Sequence, residues 1–207
     1  MAEKAQEAVD QGYSFFKLKV GWDIKSDVER IAAVRQKVGK KVPIRVDANQ
    51  GWGTYANALQ AVKALEPFNL SWLEQPIRMG DIDGLAELKE KTTIPLMADE
   101  SIHNGTHLQE IIKKKAVDNI NIKLMKCGGI YQAIQLAKTA EVAGISCQIG
   151  SMVESSIGSA AGYHTAISRK NITSTELTGP LLFSLDIGNL VMKSRMSILQ
   201  GNLGLES

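Results

Sequence analysis

Short apolar segments alternate with longer amphipathic segments along the chain. Seven of the short runs are rich in branched apolar residues, which is typical of strands buried on both faces of a parallel sheet. These strands are predicted at 15–20, 43–47, 70–74, 94–99, 119–123, 145–149 and 173–177. The segments between them carry apolar residues at helical spacing, and we predict helices at 2–11, 25–38, 54–66, 81–91, 105–115, 130–143 and 157–168.

The spacing of the strands indicates how they are connected. The ends of successive strands fall about 25 residues apart, which is enough for one strand, one crossover helix and two loops. Such βαβ units build either a doubly wound sheet or a (β/α)8 barrel. The sequence contains neither a GxGxxG motif after the first strand nor a P-loop, so a nucleotide-binding doubly wound sheet is disfavoured. We therefore predict an α/β fold of the (β/α)8 TIM-barrel type.

The predicted barrel lacks one strand. The chain opens with the helix at 2–11, which in a barrel of this type would follow a strand. A complete barrel needs about 250 residues, whereas this chain has 207. We expect residues 1–207 to form one barrel domain that is incomplete, either because the chain is a fragment or because another segment fills the eighth position.

Composition narrows the class of protein. The chain is 44% hydrophobic with a net charge of +2, so it can build a core but lacks the positive excess usual in nucleic-acid binders. No apolar run approaches the roughly 20 residues of a membrane span. Cys127 and Cys147 are not in CxxC spacing and are predicted to be reduced thiols. We expect a cytoplasmic protein that binds neither nucleic acid nor membranes, and the sequence leaves open whether it forms a homo-oligomer.

Ionisable residues end five successive predicted strands. They are Lys17 and Lys19 on the first, Asp47 on the second, Glu74 on the third, Asp99 on the fourth and Lys123 on the fifth. In a parallel barrel the loops after the carboxyl ends of the strands form the active face. One charged strand end is often only a solvated residue, but six such groups on neighbouring strands would converge on one mouth.

The types of these residues point to a chemistry. Three carboxylates form an oxygen-only ligand set that suits Mg²⁺ better than zinc. A lysine acts as a base only when it is neutral, and a nearby cation or a second ammonium group lowers the pKa of a lysine. Lys17 and Lys19 on one side and Lys123 on the other are therefore typical of a proton-abstraction site.

Five motifs carry a resemblance to a known family. They are LysLeuLys at 17–19, ValAspAlaAsn at 46–49, LeuGluGlnPro at 73–76, AlaAspGluSer at 98–101 and AsnIleLysLeuMetLysCysGlyGly at 121–129. In this order and spacing they resemble the catalytic barrel of the enolase superfamily, muconate-lactonizing subgroup. The motifs cover nearly the whole chain.

The resemblance implies a role for each strand-end residue. Asp47, Glu74 and Asp99 match the Mg²⁺ ligands of the family. Lys19 and Lys123 match two acid/base residues on opposite faces of the substrate, and Lys17 matches the partner that tunes Lys19 and helps to hold the substrate carboxylate. Asn49 and Glu100 stand beside ligand positions and could support the ligands.

The implied reaction is removal of the proton α to a carboxylate, with an enolate intermediate stabilised by Mg²⁺. Within the subgroup, the motif at 121–129 and SerMetValGluSerSerIleGly at 151–158 most resemble dipeptide epimerases of the Ala-Glu type. The implied substrate is a small-molecule carboxylate, most like a dipeptide. Alternatives on the same scaffold are an o-succinylbenzoate synthase, an N-acylamino acid racemase and a muconate cycloisomerase.

Two features depart from the family pattern. Dipeptide epimerases often carry AspXxxAsp at the end of the last barrel strand to bind the substrate ammonium, whereas this chain has Glu176-Leu177-Thr178. Glu176 and Thr178 are therefore the candidate substrate-binding residues, and one carboxylate of the pattern is missing. The N-terminal capping domain and first barrel strand of the family are also absent, so an inactive truncated fragment is the alternative of another class.

Overall fold

The computed structural model describes residues 1–13, 15–188 and 204–205, the last two through their backbone only. The strands are β1 (Phe16–Lys19), β2 (Ile44–Asp47), β3 (Trp72–Glu74), β4 (Leu96–Ala98), β5 (Asn119–Ile122), β6 (Ser146–Ile149), β7 (Ile172–Thr175) and β8 (Gly204–Leu205). The helices are α1 (Ala2–Asp10), α2 (Ile24–Val38), α3 (Tyr55–Leu65), α4 (Ile82–Glu90), α5 (Gly105–Lys114), α6 (Leu124–Cys127), α7 (Ile130–Val142) and α8 (Ser156–Ile167). Strand and helix thus alternate as the apolar pattern predicts.

All strands are parallel and pair in chain order from β1 to β7. The register places Lys19 beside Asp47 and Asp47 beside Glu74, so the carboxyl ends of β1, β2 and β3 lie level with one another. Glu74 pairs with Met97, which leaves Asp99 just beyond the end of the β4 ladder. The ionisable residues therefore gather at one edge of the sheet.

The sheet is strongly curled. In a flat sheet β1 and β7 would stand on the order of 30 Å apart, yet the Nζ of Lys17 on β1 lies 2.7 Å from the carboxylate of Glu176, which follows β7. Arg45 on β2 likewise donates a hydrogen bond of 3.0 Å to Gln148 on β6. These contacts cross a barrel-like interior, and the predicted α/β architecture is confirmed as a curled parallel half-barrel.

A short strand was missed. β8 pairs in parallel with β1, opposite Lys17 and Leu18, and so occupies the edge that the sequence analysis left unfilled. A segment of two residues is too short to show an apolar pattern, which is why seven strands were predicted and eight are described. The four-residue helix α6 was missed for the same reason.

Side chains alternate along each strand, so that one set packs against the helices and the other faces the interior of the curled sheet. Phe16 and Leu18 on β1 are buried in the apolar core with the helices, whereas Lys17 between them reaches across the interior. On β2, Ile44 is in the same core while Arg45 crosses the interior. The guanidinium of Arg45 lies over the ring of Trp72 at 3.6 Å from its centroid. Arg45 and Trp72 thus pack together two residues before the strand ends at Asp47 and Glu74.

Cys127 and Cys147 are free thiols, as predicted. Burial raises the pKa of Cys147 to about 12, which makes this thiol a poor nucleophile. Across the residues that the structure describes, every helix is too short or too polar to cross a membrane.

The loops after β1 and β2 touch through their backbones. Gly21 has a φ of +103°, and a Cβ there would overlap the carbonyl oxygen of Ala48 and approach Gly51. The carboxylate of Asp27 accepts hydrogen bonds from the Gly21 N–H at 2.8 Å and from Trp52 Nε1 at 3.1 Å, which ties the two loops together.

Replacing Gly21 by alanine should therefore cost more than backbone strain. A positive φ alone costs an L residue about 1–2 kcal/mol, and Gly144→Ala, with a φ of +72° and open space around its Cβ, measures that strain. We expect Gly21→Ala to lower the free energy of unfolding in urea clearly more than Gly144→Ala does. Equal losses would mean that the two loops do not pack closely.

Candidate active site

Three carboxylates meet at the carboxyl edge of the sheet. Asp47 ends β2, Glu74 ends β3 and Asp99 follows β4, and each residue is at most 1% exposed. One oxygen atom from each lies within 4.8 Å of the others. We call Asp47, Glu74 and Asp99 the carboxylate triad.

Lys17 supplies the innermost positive charge. Its Nζ lies 2.9 Å from Asp47, 2.9 Å from Glu74 and 2.7 Å from Glu176. Burial acts to lower the pKa of Lys17, but the attraction of Glu74, Glu176 and Asp47 outweighs it and raises that pKa well above its ordinary value. The surrounding carboxylates, and not burial, therefore decide the charge of Lys17.

Lys19 lies at the β2 side of the triad. Its Nζ donates hydrogen bonds to Asp47 at 3.1 Å and to Asn49 Oδ1 at 2.8 Å. The Nδ2 of Asn49 in turn donates to Glu100 at 3.1 Å. Asn49 and Glu100 therefore connect the loop after β2 with the loop after β4, and Lys19 is hydrogen-bonded at one end of this connection.

Lys123 lies at the opposite side of the triad. It follows β5, and its Nζ stands 2.7 Å from Asp99 and 3.6 Å from the sulfur of Met152. Lys19 contacts the first carboxylate in strand order and Lys123 the last, with Glu74 between them. The two amines thus flank the triad.

The carboxylates of the triad differ in their affinity for protons. Burial, assisted by repulsion from Asp47, raises the pKa of Glu74 to about 8 even though Lys17 opposes the change. Burial also acts on Asp99, but Lys126 and Lys123 overcome it and lower the pKa of Asp99 to about 2. Among the three carboxylates, the negative charge of Glu74 is therefore the least well balanced by nearby ammonium groups.

Two residues of the site were missed by the sequence analysis. Lys126 contacts both the carboxylate and the backbone carbonyl of Asp99, and Asn121 donates a hydrogen bond of 2.7 Å to Glu74. Both lie inside the motif at 121–129. Their spacing could have revealed them, because Asn121 shares a strand face with position 123 and Lys126 lies one helical turn beyond it.

Glu176 and Thr178 occupy different surroundings. The carboxylate of Glu176 is already engaged, since Lys17 lies 2.7 Å away and Gln148 donates to it at 3.2 Å. Thr178 is half-buried and precedes the 3-10 turn Gly179–Leu182. The structure therefore brings Glu176 to Lys17 and the triad, whereas Thr178 lies two residues further along the chain at the start of this turn.

The triad fits a hard divalent cation. Its donors are three buried carboxylates with one oxygen each inside 4.8 Å, and in this structure lysine Nζ atoms stand 2.9 Å from Glu74 Oε2 and 2.7 Å from Asp99 Oδ2. Buried carboxylates need positively charged partners. A cation such as Mg²⁺, which prefers carboxylate ligands, would satisfy them. The triad could therefore hold a metal ion.

Comparison with known proteins identifies relatives. A family model described as enolase C-terminal domain-like matches residues 1–205. An N-succinyl-L-Arg/Lys racemase from Bacillus cereus is 55% identical over 190 residues, which is 92% of this chain and 52% of that protein. An L-Ala-D/L-Glu epimerase from Bacillus subtilis is 39% identical over 192 residues, which is 91% of this chain and 52% of that protein.

A solved structure shows the same arrangement of elements. The dipeptide epimerase from Enterococcus faecalis, complexed with Mg and the dipeptide L-Leu-L-Tyr, superposes with a TM-score of 0.86 at 40% identity. The match covers 90% of this chain and 52% of that one. The chain thus spans about half the length of the relatives it matches.

The buried position of Lys17 generates a stability prediction. Removing one partner of a buried ion pair typically costs about 3–5 kcal/mol, and Lys17→Met leaves three carboxylates without this ammonium. We expect a loss of that size in the free energy of unfolding. Lys37→Met, which removes an exposed contact of 3.1 Å with Glu3, should cost less than about 1 kcal/mol. Similar losses in urea titrations would contradict the role of Lys17.

Proposed function

This chain belongs to the enolase C-terminal domain-like family, and from that premise we propose that it carries the active site of a Mg²⁺-dependent racemase or epimerase. The reaction proposed is removal of the proton α to a substrate carboxylate and its return on the opposite face. The observation that carries the proposal is the pair of amines, Lys19 and Lys123, on opposite sides of the triad. We further propose that residues 1–207 form one part of a (β/α)8 barrel domain.

The proposed metal ligands are Asp47, Glu74 and Asp99. Mg²⁺ held there would attract the substrate carboxylate and stabilise the negative charge that develops when the α-proton leaves. Lys17 would favour the charged forms of Asp47 and Glu74 and hold the triad together, because it contacts both residues and Glu176. Asn121 would orient Glu74 through its hydrogen bond of 2.7 Å.

The proton steps are assigned to the two outer lysines. In one direction the neutral Nζ of Lys19 takes the α-proton, and the Lys123 ammonium then gives a proton to the same carbon from the other face. The carbon is inverted, no electron is gained or lost, and the two amines have exchanged protonation states. Elimination or cycloisomerisation would require a leaving group or an alkene, and the two relatives described above are named as a racemase and an epimerase.

The proposed substrate is an N-acylated amino acid. The C-terminal residue of a dipeptide and an N-succinyl amino acid share this form, with a free carboxylate beside the reacting carbon and an acylated nitrogen. Glu176 is engaged by Lys17 and Gln148, and Thr178 is uncharged, so a free ammonium on the acyl group would find little negative charge. This favours an N-succinyl amino acid over a dipeptide, as does the identity of 55% to the N-succinyl-L-Arg/Lys racemase.

Isotope exchange tests the two-amine reaction. With Mg²⁺ and N-succinyl-L-arginine in D₂O, we expect the α-proton signal to vanish from the NMR spectrum while the optical rotation falls. Lys19→Met and Lys123→Met should each slow racemisation by about 10²- to 10⁴-fold, since each removes one acid/base group. Each variant should still exchange the α-proton of one enantiomer only.

The matched control is Lys113→Met, which removes an exposed lysine from α5 and should leave the rate unchanged. Full turnover by both active-site variants would refute the proposal. A chain that shows neither cooperative unfolding nor stabilisation by Mg²⁺ would support the alternative of an inactive fragment.

The proposed preference for a substrate without a free ammonium group can be tested by substitutions at Thr178. Thr178→Asp places a second carboxylate near Glu176 and should lower kcat/KM for an N-succinyl amino acid while raising it for a dipeptide with a free ammonium group. Thr178→Asn has a similar shape without the charge and should leave the ratio of the two kcat/KM values near that of the original chain. An unchanged ratio in Thr178→Asp would exclude this position from substrate selection.

A further inference from the structure

Gln75 is a fully buried polar residue that the proposed reaction does not use. Its Oε1 accepts hydrogen bonds from the backbone N–H groups of Asp99 at 3.0 Å and Ser101 at 3.1 Å. Its Nε2 donates to the carbonyl of Ile77 at 2.8 Å and to the hydroxyl of Ser101 at 2.9 Å. Every hydrogen-bonding position of this side chain is therefore filled.

The backbone of Gln75 makes two further connections. Its N–H donates to the carbonyl of Met97 at 2.9 Å, and its carbonyl accepts from the N–H of Gln50 at 2.8 Å. The φ of Gln75 is +36°, which is uncommon for a residue other than glycine and persists only where the surroundings enforce it. Gln75 thus joins the loops after β2, β3 and β4, next to the three residues of the carboxylate triad.

The Gln75 side chain supplies a hydrogen bond that the β3–β4 pairing does not provide. The β3–β4 ladder ends at the pair of Glu74 and Met97, so the N–H of Asp99 has no strand partner at that point. A buried N–H requires an acceptor, and Gln75 Oε1 provides it. Because Gln75 directly follows Glu74, this bond links the backbone positions of two triad members.

We propose that Gln75 is a positioning residue for the metal site, where it sets the separation of Glu74 from Asp99; this inference rests on the proposed function. Mg²⁺ demands near-ideal octahedral geometry with short metal–oxygen distances. A small displacement of Asp99 relative to Glu74 would therefore weaken metal binding even if the fold persisted.

Arg35 offers a matched control at the other end of the barrel. It is 9% exposed, and its guanidinium donates to the carbonyls of Gly39, Val42, Phe68 and Asn69. These residues precede β2 and β3, on the face remote from the triad. Arg35, like Gln75, joins neighbouring loops by several hydrogen bonds from one buried side chain, but no carboxylate of the triad depends on it.

The experiment titrates the 207-residue chain with Mn²⁺, a paramagnetic substitute for Mg²⁺, and follows free Mn²⁺ by electron paramagnetic resonance. Gln75→Met keeps the volume of the side chain and removes its hydrogen bonds. We expect it to weaken Mn²⁺ binding by about 10- to 100-fold, the range found when groups that orient metal ligands are changed. Arg35→Met should lower the melting temperature but leave the Mn²⁺ affinity unchanged.

The outcomes separate the two proposals. If the original chain binds no Mn²⁺, the proposed metal site fails and the role of Gln75 fails with it. If the original chain binds Mn²⁺ and Gln75→Met binds it equally well, or Arg35→Met loses as much affinity, only the role of Gln75 is refuted. Should Gln75→Met not fold, Ser101→Ala, which removes one hydrogen bond of the same amide, must weaken Mn²⁺ binding for the inference to stand.

Discussion

The compensation of buried negative charge is the constraint on which the site depends. Asp47, Glu74 and Asp99 lie within 4.8 Å of one another and are almost fully removed from water. Ionised carboxylates so placed repel each other and lose their hydration. The triad is surrounded by four amines, each in contact with at least one of its members: Lys17, Lys19, Lys123 and Lys126. The buried negative charge of the triad therefore requires positively charged side chains around it.

The four amines do not share one task. The ammonium of Lys17 is saturated by three carboxylates, which suits it to holding the site together. Lys19 and Lys123 each contact one end of the triad and are more exposed, with 25% and 12% of their side chains accessible against 8% for Lys17. The proposed division of labour, with a structural inner lysine and reacting outer lysines, follows from these contacts.

The loops hold the site as much as the strands do. The ladders of β3 and β4 stop short of Asp99, and side chains continue the connection beyond them. Asp27 ties the loops after β1 and β2 through Gly21 and Trp52, and Gln75 ties those after β2, β3 and β4. Residues outside the triad can thus determine where its carboxylates lie.

The sequence by itself determined the alternation of strands and helices and the set of strand-end residues that share one edge. These follow from local periodicity, because a strand repeats every two residues and parallel strands end on the same side. The family motifs added the proposed roles of Asp47, Glu74, Asp99, Lys19 and Lys123. The two-residue strand β8 escaped prediction because so short a segment has no period.

Only the tertiary structure decided how the side chains pair. Glu176 lies 159 positions from Lys17 along the chain, yet the curl of the sheet brings them to 2.7 Å. This contact adds to the attraction of Glu74 in raising the pKa of Lys17. The bond from Gln75 to the N–H of Asp99 is equally invisible to periodicity. Burial and Coulomb attraction depend on distances through space, and local sequence patterns do not encode those distances.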